Sequence, residues 1–274
     1  MSGAGYILGY SSRERERLIR QAETFAPEAA WLLERVGVSP GWRVADLGCG
    51  PLGILNLLSE RVGGTGQTVG IDSDPRMIAT ARDVIGELGR RPVRLVVADA
   101  TDTGLKPSSF DFAHARLLLI HSPHPDRVVA EMFALIRPGG MVAVEELDWV
   151  SWVCEPPHPA WDRLKNAICE FSGRRGLDLH IGRRLPGLLR AAGLSEVSCH
   201  AVCPTYFSGD NDNHTLLITF ARQLGAALVA AGLLSAGEPA QLADELDCHL
   251  AKPGTITIYS LLCQAWGRKP TGVR

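Results

Sequence analysis

A glycine-rich loop is the part of the sequence whose residue types and spacing point most clearly to chemistry. Residues 44–53, VADLGCGPLG, follow a predicted strand and open a predicted helix, which is the context in which such a loop binds a nucleotide. Gly48 and Gly50 let the chain turn tightly and let a ligand approach the backbone, because a Cβ would clash there. Asp72 follows about twenty residues later, where a carboxylate can accept hydrogen bonds from both hydroxyls of a ribose.

The loop pattern alone leaves a nicotinamide cofactor open. Asp46 precedes the first glycine, and a fixed carboxylate is poorly placed beside a pyrophosphate, so a cationic cofactor is favoured. The end of the chain also differs from a doubly wound dehydrogenase half, because two strand-like stretches there enclose a long helical insertion.

Elements that must position this loop alternate regularly along the first half of the chain. Apolar runs predict strands, and stretches with apolar residues every three or four positions predict helices. The strands are predicted at 43–47, 67–71, 93–98, 110–115 and 141–147, and the helices between them at 52–62, 75–88 and 124–136. Strict alternation predicts an α/β fold with a doubly wound parallel sheet and helices on both faces.

The remaining segments predict additions to this sheet. Residues 11–36 predict helix, which Pro27 either kinks or divides in two. Residues 195–207 and 255–267 alternate like two strands that pair antiparallel at the sheet edge. We therefore expect a helical lid over 1–40 and a core over 41–274 with helical insertions at about 148–181 and 213–251, all assembled over the carboxyl edge of the sheet.

Four segments in order resemble the motifs of class I S-adenosylmethionine-dependent methyltransferases. They are VADLGCGPLG (44–53), IDSDPRMIATAR (71–82), VVADATD (96–102) and ALIRPGGMVAVEE (134–146), and the resemblance spans roughly residues 40–150. It implies a Rossmann-like sheet of seven strands with one antiparallel edge strand, and S-adenosylmethionine as the cofactor. Leu52 departs from the pattern, because many relatives have glycine at that position.

The resemblance also implies contacts between individual residues and the cofactor. Asp72 would hold the ribose, Asp99 would accept from the adenine amino group, and Asp46 would lie near the amino group of the methionine part. The other implied contacts involve Gly48, Gly50, Ser73, Met77, the Ala100 N–H and the Arg116 carbonyl. Apart from the resemblance, Tyr10 and Tyr6 precede the first helix, and they either form an N-terminal flap that covers the cofactor or simply anchor that helix.

Candidate acid–base residues follow the fourth and fifth strands. A neutral His121 could remove a proton from an acceptor hydroxyl or amine, giving a rate inflection near the ordinary histidine pKa of about 6.5. Because neighbouring strand residues point to opposite faces, only one of Glu145 and Glu146 can face a substrate, and Glu146 or Asp148 is the candidate. The structural alternatives are a histidine that starts a helix and a carboxylate that pairs with arginines.

Tryptophans at 149, 152 and 161 cluster in the first insertion. They could form one wall of a pocket for an aromatic or terpenoid-like acceptor, or only pack the lid. Residues 6–22 and 116–126 resemble a group of methyltransferases that act on small molecules. The additional motifs of the ubiquinone and menaquinone C-methyltransferases are not evident, which disfavours that subfamily.

Composition excludes several other classes of function. Lys plus Arg number 28 and Asp plus Glu number 30, and a net charge of −2 gives no footprint for nucleic acid or an anionic membrane. The seven cysteines form no CxxC pair, and the histidines show no ligand spacing, so no metal site is predicted. Without an apolar run of spanning length or a signal-like start, the chain is expected to be cytoplasmic.

The sequence thus predicts an enzyme that transfers a methyl group from S-adenosylmethionine to an O, N or C nucleophile of a small-molecule acceptor such as a natural product, acting as a monomer or homodimer. The first alternative is a protein that binds S-adenosylmethionine without methyl transfer, as a cyclase-like catalyst or a regulator. A nicotinamide oxidoreductase and a nucleic-acid methyltransferase are the further alternatives.

Overall fold

A computed structural model describes residues 12–87, 93–210 and 213–272. Ten strands lie at β1 (Arg43–Leu47), β2 (Gln67–Asp72), β3 (Arg94–Val97), β4 (Phe110–Arg116), β5 (Ile136–Asp148), β6 (Val153–Glu155), β7 (Ser195–Val202), β8 (Thr205–Phe207), β9 (Ile256–Ile258) and β10 (Leu261–Arg268). Nine helices in the described ranges lie at α1 (Ser12–Thr24), α2 (Ala26–Val36), α3 (Leu55–Val62), α4 (Pro75–Glu87), α5 (Pro125–Leu135), α6 (Pro159–Gly173), α7 (Leu185–Ala191), α8 (Leu216–Ala230) and α9 (Glu238–Leu250).

Seven strands form one sheet in the order β3-β2-β1-β4-β5-β10-β7. The first five are parallel, and β10 pairs antiparallel with both β5 and the edge strand β7. The predicted fold class is therefore confirmed, including the antiparallel pairing at this edge. The strand that runs against the others is β10, one position in from the edge.

The two faces of the sheet pack against different helices because successive strand residues point to opposite sides. On one face Val44, Phe112 and Ala143 pack with α2 and α3; on the other, Ala45, Ala113 and Val144 pack with α5 and α7. The core strands read as nearly unbroken apolar runs because both faces are covered. Parallel strands end at one edge, which gathers the loops after β1, β2, β3 and β4.

Pro27 begins a second helix rather than kinking the first one. Phe25 stands at the break, and α2 follows with the proline in its first turn, where the missing N–H costs no helical bond. Gly37 closes α2 in the left-handed conformation at φ 80°, and its N–H donates to the carbonyls of Leu33 and Glu34.

The two long strands predicted near the end of the chain are each divided, and a second sheet was not predicted. Pro204 has no N–H to continue the ladder, so β7 ends before it and β8 begins after it. The second stretch divides at Tyr259 and Ser260 into β9 and β10, with the Tyr259 N–H donating to the Pro204 carbonyl. Strands β6, β9 and β8 form a separate antiparallel sheet.

Among the residues that the structure describes, none of the helices combines the length and the apolar character needed to cross a bilayer.

Candidate functional site

A cavity of about 650 Å³ opens at the carboxyl edge of the parallel strands, within the usual size range of ligand pockets. One half of its wall is polar and comes from the loops after β1, β2 and β3. The other half is apolar and comes from α1, α6, α8 and the segment after β5. The polar half includes Gly48, Gly50, Asp72, Ser73, Asp99 and Thr101; the apolar half includes Leu147, Trp149, Ile168, Leu179, Phe220 and Leu224.

Asp72 is the most elaborately held side chain of the polar half. Its Oδ2 accepts from the Gly50 N–H and its Oδ1 from the Asp74 N–H, both at 2.9 Å. Burial raises the pKa of Asp72, although these two N–H groups oppose the rise. A carboxylate has about four lone-pair positions, so each oxygen retains one for a second donor. Asp72 can therefore still accept the two hydroxyls of a ribose.

The glycine loop turns through conformations that other residues rarely adopt. Gly48, Gly50 and Gly53 have φ values of 69°, 55° and 51°. A Cβ on Gly50 would meet nothing within 4 Å, because that face of the loop borders the cavity. A Cβ on Gly53 would lie 2.6 Å from the Cys49 carbonyl oxygen and 2.8 Å from Asp46 Oδ2. The loop thus needs glycine at these positions for two different reasons.

Asp99 lies beside Asp72 at the cavity wall, as the sequence predicts. Its Oδ1 accepts from the Thr101 N–H at 2.8 Å and the Thr101 hydroxyl at 2.7 Å, and these bonds lower the pKa of Asp99. Within the described ranges Oδ2 makes no hydrogen bond and is open to a ligand. Ala100, Ser73 and Met77 line the same half.

Asp46 is not at the cavity wall, contrary to its predicted place near a cofactor amino group. Its side chain lies beneath the glycine loop and is 2% exposed. Asp46 Oδ1 is 2.8 Å from His114 Nδ1, and His114 Nε2 is 3.0 Å from Glu145 Oε1. Glu145 Oε2 accepts from Gln264 Nε2 at 2.7 Å. We call this buried row of Asp46, His114, Glu145 and Gln264 the polar ladder.

The polar ladder crosses four adjacent strands, in register between β1 and β4 and between β5 and β10, and diagonally between β4 and β5, where Glu145 is opposite Arg116 and two residues beyond the partner of His114. Asp46 of β1 is opposite His114 of β4, and Glu145 of β5 is opposite Gln264 of β10. All four side chains are on the α2 face of the sheet, where Gln264 also donates to the Glu28 carbonyl at 2.9 Å. His114 is not among the residues predicted for the site, since a histidine within a predicted strand is typical of an ordinary core residue.

His114 is charged at neutral pH. Burial alone disfavours its charged form, but the hydrogen bonds to the carboxylates of Asp46 and Glu145 raise its pKa to about 9. The pKa of Glu145 is lowered for the complementary reason: the bond to His114 outweighs the effect of burial. The buried charge of His114 is tolerated because each ring N–H donates a hydrogen bond to a carboxylate, one to Asp46 and the other to Glu145.

Arg116 lies next to the polar ladder and contacts the cavity with its side chain, where the sequence predicted only its backbone carbonyl. Its guanidinium donates to the carbonyls of Phe25 at 3.3 Å and Gly53 at 3.1 Å. Its charge also helps to lower the pKa of Glu145. Arg116 thus ties the junction of α1 and α2 to the glycine loop.

Glu146 is a wrong prediction as a catalytic base. The side chain is fully buried on the α5 face, away from the cavity wall, and accepts from the N–H groups of Leu118, Leu119 and Ile120. Burial raises the pKa of Glu146 to about 8 despite these donors. Its role is to hold the turn that carries His121.

His121 lies at the cavity wall, as predicted. Burial and the nearby charge of Arg17 lower its pKa to about 4, so the imidazole is neutral at physiological pH. A neutral imidazole can accept a proton from a ligand in the cavity. Because burial lowers this pKa, an inflection due to His121 is expected well below the value of 6.5 that the sequence led us to expect.

The tryptophan cluster divides between the cavity and the core. Trp149 lines the cavity, with its ring plane 1° from that of Phe220 and the centroids 6.0 Å apart. Trp152 and Trp161 are buried behind it, and the Trp161 indole N–H donates to the Trp152 carbonyl at 3.1 Å. Only Trp149 of the three therefore forms a pocket wall. Tyr10 and Tyr6 lie outside the described residues.

Within the described ranges, no group of three or more His, Cys, Asp or Glu side chains could hold a metal ion.

Comparison with known proteins places this site in a family. Residues 44–140, which run from β1 into β5, match the family described as "Methyltransferase domain". The chain is 35% identical to nocamycin O-methyltransferase of Saccharothrix syringae over 123 residues, 44% of each chain. It is 28% identical over 182 residues to a ubiquinone/menaquinone biosynthesis C-methyltransferase of Bordetella parapertussis, covering 61% of this chain and 69% of that protein.

The match over residues 44–140 supports the resemblance of this stretch to the class I S-adenosylmethionine-dependent methyltransferases. The match to the nocamycin enzyme spans less than half the length of that relative. Quinone C-methyltransferases are among the relatives, at 28% identity. That this chain lies outside their subfamily therefore stays a prediction.

A solved structure shows the same fold. Phosphoethanolamine N-methyltransferase 2 of Haemonchus contortus, in complex with phosphomonomethylethanolamine and S-adenosylhomocysteine, superposes with a TM-score of 0.56. The identity is 16%, and the match covers 89% of this chain and 52% of the other chain. At this identity the likeness shows the fold alone.

Glycine loop variants test the packing of the loop against the ladder. Gly50→Ala and Gly53→Ala both place a Cβ at positive φ, which costs about 1–2 kcal/mol. Only Gly53→Ala also drives a methyl group into backbone, which adds about 1–3 kcal/mol. We expect the urea midpoint to fall clearly further for Gly53→Ala. Equal midpoints would contradict the described loop.

A His114→Gln variant tests the charge in the polar ladder. The folded pKa of about 9 exceeds the ordinary value of 6.5, so this stabilisation is complete below pH 6.5 and lost as pH rises through 9. Removing one partner of a buried ion pair costs about 3–5 kcal/mol. We expect a large loss of unfolding free energy at pH 6.5 that shrinks towards pH 9, measured by urea denaturation. The exposed His124→Gln is the control, and a loss independent of pH would show that His114 is neutral.

Proposed function

We propose that this protein transfers the methyl group of S-adenosylmethionine to an O, N or C nucleophile of a small-molecule acceptor. The observation that carries the proposal is Asp72, whose two oxygens are fixed by backbone N–H groups and still hold free acceptor positions at the cavity. The family match over 44–140 supports the same cofactor. A cytoplasmic location, a monomeric or homodimeric state and the division into a lid over 1–40 and a core remain predictions.

The residues present fit the cofactor in the polar half of the cavity. Asp72 would accept from the ribose hydroxyls, and Asp99 Oδ2 would accept from the adenine amino group. Gly50 leaves room for the methionine part beside the loop, while Gly48, which also lines the cavity, allows the close approach of Leu118. When bound, the cofactor supplies a methyl group already activated on a sulfonium.

The work left to the protein is therefore alignment and exclusion of water. Trp149, Phe220 and their neighbours in the apolar half keep water from the acceptor, while Glu146 fixes the turn from which His121 reaches the cavity. His121 would take the proton of an acceptor that carries one. An acceptor that is already a free nucleophile needs no base.

A cofactor-binding protein without methyl transfer is the alternative. Incubation with S-adenosylmethionine labelled in its methyl group and a panel of phenols, amines and thiols separates the two. Label transferred to an acceptor supports the proposal. Binding of the cofactor with no transfer to any acceptor, including those of cell extracts, would favour the alternative.

Asp72→Asn tests the cofactor assignment. The change keeps the shape of the side chain but removes its charge, and with it charge-assisted hydrogen bonds worth about 1.5–3 kcal/mol each. We expect the affinity for S-adenosylhomocysteine to fall tenfold or more by calorimetry. The matched control is Asp74→Asn, since that carboxylate pairs with Arg76 and lies off this cavity wall. Equal affinities for the two variants would remove Asp72 from the site.

His121→Ala tests the proposed base. With a phenolic acceptor found in the panel, we expect turnover to fall about 10²–10⁴-fold while cofactor affinity changes less than about twofold. Because the pKa of His121 is lowered to about 4, the native rate should show no His121-dependent inflection between pH 6 and 8. The exposed His200→Gln serves as the control. If His121→Ala kept the native turnover, His121 would not be the base, and catalysis would depend on alignment of the substrates alone.

A further inference from the structure

The apolar half of the cavity has a composition that discriminates among acceptors. Its wall is formed by side chains from the end of β5, from α6 and α8, and from the segments that follow β5 and α6: Leu147, Trp149, Ile168, Leu179, Phe220 and Leu224. We call this half the acceptor chamber. Apart from Arg17 at its margin, every charged side chain of the described cavity wall belongs to the loops after β1, β2, β3 and β4.

Charged acceptors are poorly served by such a wall. The carboxylates of the described cavity wall, Asp72 and Asp99, are both in the polar half, so an ammonium group in the chamber would lose its hydration without gaining a counter-charge. Arg116 already donates to the Phe25 and Gly53 carbonyls. Arg17 lies only at the margin of the chamber, so a phosphate or carboxylate within the chamber would find no guanidinium among the side chains of its described apolar wall. The chamber favours an uncharged acceptor.

The shape of the chamber wall favours a flat acceptor. Trp149 and Phe220 both line the cavity with parallel ring planes, which differ by 1° with centroids 6.0 Å apart, so a flat ligand that is parallel to one ring is parallel to the other. Trp152 packs edge-on against Trp149 at 4.6 Å between centroids and fixes its orientation from behind. A planar ring system can stack on these rings in the offset arrangement that aromatic rings prefer.

A buried hydroxyl marks a second polar contact in the chamber. Ser172 of α6 lines the cavity and is fully buried, and its Oγ has no hydrogen-bond partner within the described part of the chain. Buried polar atoms are nearly always paired, so an unpaired hydroxyl at a cavity wall points to a ligand that completes it. His121 provides the other polar contact, at the turn after β4.

We propose that the acceptor chamber binds an uncharged, planar, ring-containing hydroxy compound, with its rings on Trp149 and Phe220. One hydroxyl faces His121, and a second oxygen on the ring system accepts from or donates to Ser172 Oγ. The inference rests on the proposed function, since it names the class of acceptor for the same transfer. In the reaction the acceptor oxygen forms a bond to the methyl carbon, the carbon–sulfur bond breaks with its electron pair left on sulfur, and the hydroxyl proton passes to His121.

The test measures binding of three matched probes to the protein saturated with S-adenosylhomocysteine. The probes are 1-naphthol, 1-naphthyl phosphate and 1-naphthylmethylammonium. Their binding is measured by calorimetry and by the quenching of tryptophan fluorescence. We expect 1-naphthol to bind at least tenfold more tightly than either charged analogue. Equal or tighter binding of a charged analogue would overturn the proposal.

Two variants locate the probe within the chamber. Phe220→Ala should weaken 1-naphthol at least fivefold, whereas Phe207→Ala, which truncates an exposed phenylalanine outside the cavity wall, should leave it unchanged. We expect the native protein to bind 1,5-dihydroxynaphthalene more tightly than 1-naphthol, and Ser172→Ala to abolish this difference in affinity. An unchanged affinity in Phe220→Ala, or an unchanged dihydroxynaphthalene advantage in Ser172→Ala, would contradict the assigned position.

The cofactor is measured separately in every variant. Native affinity for S-adenosylhomocysteine shows that a variant is folded, so a lost naphthol signal then reports on the chamber. If the native protein bound 1-naphthol as expected but not S-adenosylhomocysteine, the proposed function would fail while the chamber assignment stood. The reverse result would overturn the acceptor class and leave the proposed function in place.

Discussion

The buried polar ladder of Asp46, His114, Glu145 and Gln264 is the interaction on which the rest of the site depends. It joins four neighbouring strands on one face of the sheet, close to the edge where the cavity opens. Taking these charges out of water is costly, and removing His114 would leave the buried carboxylates of Asp46 and Glu145 without their cationic partner. The ladder therefore couples the position of the glycine loop above Asp46 to the register of β1, β4, β5 and β10.

The sequence was sufficient to predict the alternation of strands and helices and the gathering of Asp72, Asp99 and the glycines at one edge, because periodicity and motif spacing are local signals. It was not sufficient for His114 or Glu146. Whether a strand carboxylate faces a ligand or a row of backbone N–H groups depends on neighbouring elements brought together only by folding. The division between β7 and β8 at Pro204 could have been predicted, since proline cannot continue a ladder. The second sheet could not, because it forms only when β6, from a distant part of the chain, pairs with β9.

The cavity combines two kinds of wall that come from different parts of the chain. Loops of the parallel sheet supply the polar half, in the stretch that matches the methyltransferase domain. Helices α1, α6 and α8, which lie outside that stretch, contribute much of the apolar half. A fold of this type serves many acceptors, so the chemistry of the added helices rather than the sheet carries the information about the substrate. Glu146 links the two halves, because it fixes the turn that carries His121 between them.

A crystal structure of the protein grown with S-adenosylhomocysteine tests the central claim most directly: one cavity holds the cofactor in its polar half and presents the acceptor from its apolar half. We predict both ribose hydroxyls within hydrogen-bonding distance of the Asp72 carboxylate, the adenine amino group at Asp99, and the sulfur directed towards Trp149 and Phe220. A ribose placed away from Asp72, or a sulfur directed away from the acceptor chamber, would contradict this account.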